Sequence, residues 1–116
     1  LPGVRVLLVE DNPELAYTAA GLLESLGCNV RQLNNADDAL KVLRTDAAFF
    51  DIVLSDVVMG GTADGIDLAK RVKIDHPALP IVLMSGYSDS IDRAAALGVT
   101  VLTKPCSPDA LLAAIR

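Results

Sequence analysis

The sequence is poor in aromatic residues and in cysteine. It has no tryptophan, two tyrosines, two phenylalanines and two cysteines, although 52% of its 116 residues are apolar. A core of this composition has to be built from valine, leucine, isoleucine and alanine, which is typical of strands covered by helices on both faces. Cys28 and Cys106 are too few for a disulfide scaffold or a zinc site, so we expect reduced thiols. The length predicts one domain over residues 1–116.

The sequence also lacks a cluster of basic residues and a long apolar run. Its 10 lysines and arginines face 15 aspartates and glutamates, which gives a net charge of −5. Nucleic-acid binding needs a basic patch, and none is apparent. No apolar stretch approaches the ~20 residues of a membrane helix, and there is no signal peptide pattern. We therefore expect a cytoplasmic domain that binds neither nucleic acid nor membrane directly.

Strand-like and helix-like segments alternate five times along the chain. The predicted strands are 4–9, 28–33, 50–55, 81–84 and 99–103, and a helix is predicted after each of them. In the first helix, Leu15, Ala19, Leu22 and Leu26 recur on one face, which predicts that they point inward. Short connections between such units favour right-handed crossovers and a parallel sheet. We predict a doubly wound α/β fold, with a five-stranded parallel sheet in the flavodoxin-like order 2-1-3-4-5 and helices on both faces.

Charged and hydroxyl residues stand at the ends of four predicted strands. Glu10 and Asp11 follow the first strand, Asp56 the third, Ser85 the fourth and Lys104 the fifth. In a parallel α/β sheet, ligand groups gather outside the carboxyl ends of the strands. The pattern therefore predicts one shared site.

The chemistry of these residues favours a divalent cation and a phosphoryl group. Three carboxylates and one lysine leave an excess of negative charge, which a cation would balance. Oxygen ligands without histidine or cysteine select Mg²⁺, Mn²⁺ or Ca²⁺ over zinc, and Mg²⁺ accepts a phosphate oxygen as a further ligand. Lys104 and Ser85 can bind phosphoryl oxygens. Asp56 stands alone at its strand end, so we expect it to be the nucleophile that forms an aspartyl phosphate.

Five motifs give the chain a resemblance to the receiver (response-regulator) domains of two-component signalling. They are LLVEDN at 7–12, VLSDVVM at 53–59, DGI at 64–66, LMSG at 83–86 and LTKP at 102–105. Each motif alone is a weak signal, but all five occur in order and on the expected elements. The resemblance covers essentially the full length of the chain.

The resemblance implies a phosphoacceptor and not an enzyme, apart from catalysis of its own phosphorylation and dephosphorylation. Asp56 would take the phosphoryl group from a phosphohistidine of a histidine kinase or a histidine phosphotransfer protein and relay the signal by a conformational change. Asp11, Asp56 and the backbone carbonyl of Val58 would hold Mg²⁺, with Glu10 acting through a metal-bound water. Ser85 and Lys104 would bind the phosphoryl oxygens, and the peptide between Lys104 and Pro105 would be cis.

Two positions depart from the family pattern in ways that matter. Gly60 replaces the usual proline, which makes that loop more flexible. Val101 stands where the family often has a tyrosine or phenylalanine that swings inward on phosphorylation. We therefore expect a muted shift of the fourth predicted helix and the fifth strand. Tyr87 could partly substitute for the absent ring or simply gate access to the site.

Several alternatives stay open at this point. The chain could be a degenerate receiver-like module that binds a partner without phosphorylation, although the presence of Asp11, Asp56, Ser85 and Lys104 argues against it. The segment after residue 106 resembles receivers at the carboxyl end of hybrid sensor histidine kinases, and the start without methionine suggests an excised fragment. A homodimer is possible through the last helix.

Overall fold

The computed structural model describes residues 3–57, 64–86, 92–93, 95–103 and 108–115. The strands are β1 (Arg5–Val9), β2 (Asn29–Leu33), β3 (Ile52–Asp56), β4 (Ile81–Ser85) and β5 (Thr100–Thr103). The helices are α1 (Pro13–Ser25), α2 (Ala36–Asp46), α3 (Gly65–Asp75) and a final helix (Pro108–Ile115), with a short 3₁₀ turn at Ala47–Phe49. Residues 92–93 and 95–96, inside the predicted fourth helix, are also helical. None of the helices within the described ranges has the length and apolar content needed to cross a bilayer.

The five strands form one parallel sheet in the order β2-β1-β3-β4-β5, as predicted. β3 lies at the centre, and every one of its residues is buried. The chain reverses its direction of winding between β1 and β3, which are direct neighbours although β2 separates them in sequence. At such a switch point the loops that leave the two strands diverge and open a crevice.

Each face of the sheet has its own apolar core. Leu7, Val9 and Val53 face α2 and α3 on one side. Val6 and Leu54 face α1 and the final helix on the other. Both cores consist mainly of aliphatic side chains, as the scarcity of aromatic residues predicts.

The predicted inward face of α1 was wrong at its first position. Leu15 is 48% exposed, and the residues that α1 buries are Ala16, Ala20 and Leu23. Ala19, Leu22 and Leu26 lie partly buried at the margin of that face. The buried face of α1 is therefore centred on Ala16, Ala20 and Leu23, one residue along from the face that the sequence pattern favours.

Side-chain caps fix the starts of the helices that follow β1 and β2. The Asn12 side-chain oxygen accepts hydrogen bonds from the backbone N–H groups of Glu14 and Leu15 at 3.0 and 3.2 Å. Asn35 accepts one from the N–H of Asp38 at 2.7 Å. Each cap satisfies donors that have no partner within the helix. These local hydrogen bonds therefore set the direction in which the chain leaves the carboxyl ends of β1 and β2.

Candidate functional site

The predicted site residues in the described part of the chain lie at one edge of the sheet. Val9, the last residue of β1, pairs with Ser55 of β3, so Glu10 and Asp56 stand at equivalent positions on neighbouring strands. Asp56 in turn pairs with Met84 of β4, one residue before Ser85. Three adjacent strands therefore deliver their polar residues to one place.

Three carboxylates converge at this edge. One oxygen from each of Glu10, Asp11 and Asp56 lies within 4.8 Å of the others. Glu10 is 4% exposed and Asp56 is 7% exposed, whereas Asp11 is exposed. Two buried carboxylates and one exposed carboxylate thus share a small volume that opens to solvent on the side of Asp11. This donor set of oxygen atoms without nitrogen or sulfur fits a hard divalent cation such as Mg²⁺.

The loop after β1 holds the first two acids in place. The backbone N–H of Glu10 donates to the carbonyl of Leu33 at 3.0 Å, which ties the end of β1 to the end of β2. The Glu10 carboxylate accepts a hydrogen bond from the N–H of Asn12 at 3.2 Å. Because Asn12 also caps α1, the acidic pair and the helix start form one bonded turn.

The backbone around Asp56 is bonded on several sides. The Ser55 hydroxyl, which is fully buried, donates to the carbonyl oxygen of Asp56 at 2.9 Å. The N–H of Val57 donates to the carbonyl of Met84 at 3.0 Å, and the N–H of Gly65 donates to the carbonyl of Val57 at 2.8 Å. The last of these bonds attaches the first residue of α3 to the chain just after Asp56.

Ser85 ends β4 and is 1% exposed. It pairs with Thr103, the last residue of β5, and Lys104 is the next residue in the sequence. Lys104 itself, the carbonyl of Val58, the Lys104–Pro105 peptide and Tyr87 lie outside the described residues. The predictions for these four features remain predictions.

A groove of about 480 Å³ adjoins the carboxylates on the side of α1 and β2. Glu10 and Asp11 line one end of it, and Tyr17, Gln32 and Asn34 line other parts. Tyr17 is 79% exposed. The groove therefore gives access to the acidic edge from solvent.

Sequence reasoning missed two residues that contact the Asp56 backbone, Ser55 and Gly65. Ser55 ends a predicted strand that is almost wholly apolar, and a single serine in such a run carries no signal of its own. Gly65 follows Asp64, whose side chain caps α3. A glycine at the first position of a helix, where any residue is tolerated, could have indicated a close approach of another backbone.

Comparisons with known proteins agree on one family. A model of the response regulator receiver domain matches residues 6–116. The chain is 32% identical over 113 residues to the nitrogen assimilation regulatory protein NtrX of Azorhizobium caulinodans, covering 92% of this chain and 24% of that protein. The chain spans between about a quarter and a half of the length of the first curated relatives that it matches.

Solved structures show the same fold. A receiver domain protein from Clostridium thermocellum superposes with a TM-score of 0.89 at 23% identity, over 97% of this chain and 90% of that one. The receiver domain of the hybrid histidine kinase CckA superposes with a TM-score of 0.77 at 32% identity, over 94% of this chain and 93% of that one.

Proposed function

Because this chain belongs to the response regulator receiver domain family, we propose that Asp56 is the residue that accepts its phosphoryl group. The chain is a phosphoacceptor domain of two-component signalling and not an enzyme in the usual sense. The observation that carries the assignment of Asp56 is its place in the carboxylate cluster. It is the only member of the cluster from the central strand, and it lies between the acidic turn after β1 and Ser85 at the end of β4.

The transfer is a displacement at phosphorus. A carboxylate oxygen of Asp56 forms a bond to the phosphorus atom of a phosphohistidine while the bond from phosphorus to the imidazole nitrogen breaks. The bonding electron pair stays on the imidazole nitrogen, a proton taken up from solvent by the ring makes the leaving group a neutral imidazole, and an acyl phosphate remains on Asp56. Such a transfer depends chiefly on placing the nucleophile in line and on neutralising the phosphoryl oxygens.

The acidic cluster suits a magnesium ion. Asp11 and Asp56 would bind it directly together with the backbone carbonyl of Val58, and Glu10 would contact it through a water molecule. When bound, Mg²⁺ neutralises charge on the carboxylates and on the incoming phosphoryl oxygens. The burial of Glu10 and Asp56 close to each other supports this assignment, since a bound cation would offset the repulsion between carboxylates at such a spacing.

Ser85 and Lys104 complete the proposed site. The Ser85 hydroxyl donates to a phosphoryl oxygen, and the Lys104 ammonium supplies a positive charge to another. Two observations support these roles: Ser85 is the last residue of β4, and Lys104 follows the last residue of β5 in the sequence. The donor is a histidine kinase or a histidine phosphotransfer protein. We also propose a cytoplasmic location, because two cysteines are too few for a disulfide scaffold and are expected to stay reduced.

Phosphorylation by a small acyl phosphate tests the assignment. The chain is incubated with acetyl phosphate and Mg²⁺, and its intact mass is measured. We expect a gain of about 80 Da, the mass of one phosphoryl group, which is absent in Asp56→Asn and when EDTA removes the metal.

The matched control is Asp51→Asn. Asp51 is an exposed carboxylate just before β3, whereas Asp56 ends that strand. An asparagine at position 51 can still accept the hydrogen bond from the N–H of Arg5. This variant should gain the same mass as the unaltered chain. A phosphoryl group that persists in Asp56→Asn would refute the assignment.

A further inference from the structure

The Ser55 hydroxyl has an unusual bonding partner for a side chain inside a sheet. Ser55 is fully buried on the central strand, where Val53 and Val57 on the same face belong to the apolar core. A hydroxyl in such surroundings is costly unless it is hydrogen-bonded. Its acceptor, at 2.9 Å, is the carbonyl oxygen of the next residue, Asp56. The hydroxyl therefore restrains the peptide group that joins Asp56 to Val57.

Gly65 contacts the same carbonyl oxygen. A Cβ atom built on Gly65 would overlap the Asp56 carbonyl oxygen and would lie 2.8 Å from the Cα of Val57. The N–H of Gly65 also donates to the carbonyl of Val57 at 2.8 Å. The peptide groups on both sides of Val57 are thus held, one by the Ser55 hydroxyl and the other by the first turn of α3.

We propose that Ser55 and Gly65 are positioning residues for phosphoryl transfer, which they promote by fixing the backbone that carries the Asp56 carboxylate. The proposal rests on the proposed function of Asp56. A rotation of the Asp56–Val57 peptide turns the Cα–Cβ bond of Asp56 and so moves its carboxylate away from the line of attack. Because reactions of this kind depend steeply on the alignment of the nucleophile, a small rotation lowers the rate without removing any group that touches the phosphoryl donor.

Substitutions of Ser55 separate this role from a general effect on folding. The maximal rate and the half-saturating concentration of acetyl phosphate are measured at fixed Mg²⁺, and stability is measured by urea unfolding. Ser55→Ala should lower the maximal rate about fivefold, the effect of one typical hydrogen bond, and leave the half-saturating concentration unchanged.

Ser55→Thr keeps the hydroxyl and adds a methyl group in a fully packed place. It should be the less stable of the two variants, yet should retain the rate of the unaltered chain. The control is Ser25→Ala, which removes a serine hydroxyl that donates to the carbonyl of Leu22 on the exposed side of α1. In that variant, neither the maximal rate nor the half-saturating concentration should change.

The outcomes distinguish the two proposals. If the unaltered chain gains no phosphoryl group on Asp56, the proposed function fails and this inference fails with it. If the unaltered chain is phosphorylated and Ser55→Ala reacts at the same maximal rate, only the positioning role is refuted. Rates that follow the order of stability, with Ser55→Thr slower than Ser55→Ala, would likewise overturn it.

Discussion

Gly65 begins α3 directly against the backbone of Asp56. There is no room between them for a single methyl group, since a Cβ on Gly65 would overlap the Asp56 carbonyl oxygen. The first residue of α3 therefore packs directly on the backbone of the proposed phosphoacceptor, and we expect a change that displaces α3 to displace Asp56 as well.

Gly65→Ala should destabilise the chain, against the usual direction of a glycine-to-alanine change in a helix. Such a change ordinarily stabilises a helix by about 0.5–1 kcal/mol. Here the new methyl group meets backbone atoms that cannot move aside, so we expect a loss of about 1–3 kcal/mol in the free energy of unfolding. Urea unfolding followed by circular dichroism measures it.

Gly21 offers the matched control for this prediction. It lies within α1, and a Cβ built on it has no heavy atom within 4 Å. Gly21→Ala should therefore stabilise the chain by about 0.5–1 kcal/mol. The steric interpretation of Gly65 is wrong if both variants shift stability in the same direction.

Neutralising Asp11 should distinguish two effects of its carboxylate, which are repulsion of the neighbouring carboxylates and binding of a metal ion. In the absence of divalent ions, Asp11→Asn is expected to be at least as stable as the unaltered chain, because it removes one of three carboxylates within 4.8 Å of one another. Mg²⁺ at about 100 times its dissociation constant should stabilise the unaltered chain by about 2.7 kcal/mol and the variant much less.

Asp46→Asn makes the same change in net charge at the last residue of α2, an exposed position. Its thermal midpoint should rise with Mg²⁺ as much as that of the unaltered chain. An equal response in Asp11→Asn would show that Asp11 does not bind the ion.

The sequence predicted the strand order and the meeting of Glu10, Asp11 and Asp56, because the common doubly wound order for a small five-stranded sheet is 2-1-3-4-5. In that order the ends of β1 and β3 are neighbours, so the residues that follow them lie side by side. The position of Leu15 could not be predicted in this way, since the orientation of a helix on a sheet depends on how closely its small residues approach. The contacts of Ser55 and Gly65 with Asp56 were not predicted, because a serine in a strand does not reveal which group its hydroxyl bonds, and the approach of Gly65 depends on the distance between two backbone segments.

The burial of Cys28 should affect how the free energy of unfolding depends on pH. Cys28 is 5% exposed, and burial raises the pKa of its thiol above the ordinary value. The folded chain therefore holds this proton more tightly than the unfolded chain does. The contribution to stability is fully present below the pKa of the unfolded thiol, about 8.5. It is lost as the pH rises through the folded pKa, by up to about 1.4 kcal/mol per pH unit.

Urea unfolding of the chain and of Cys28→Ala between pH 7 and pH 10 measures this effect. The variant loses packing and is less stable at pH 7, but its free energy of unfolding should fall less steeply above pH 8.5. Parallel curves for the two proteins would mean that the Cys28 thiol titrates alike in the folded and unfolded chains.

Because residue 101 is a valine, we expect a muted conformational response to phosphorylation. Val101 lies half-buried on β5, opposite Leu83 of β4, and packs against the core on the side of α2 and α3. A valine there has no ring to exchange between solvent and interior, so the two states differ little in buried apolar area. Backbone amide shifts measured with and without beryllofluoride and Mg²⁺ should change near Ser85 and only weakly over 91–102.

Val101→Phe supplies the missing ring and should enlarge the changes over 91–102. Large changes there in the unaltered chain would show that the response does not need an aromatic residue at this position.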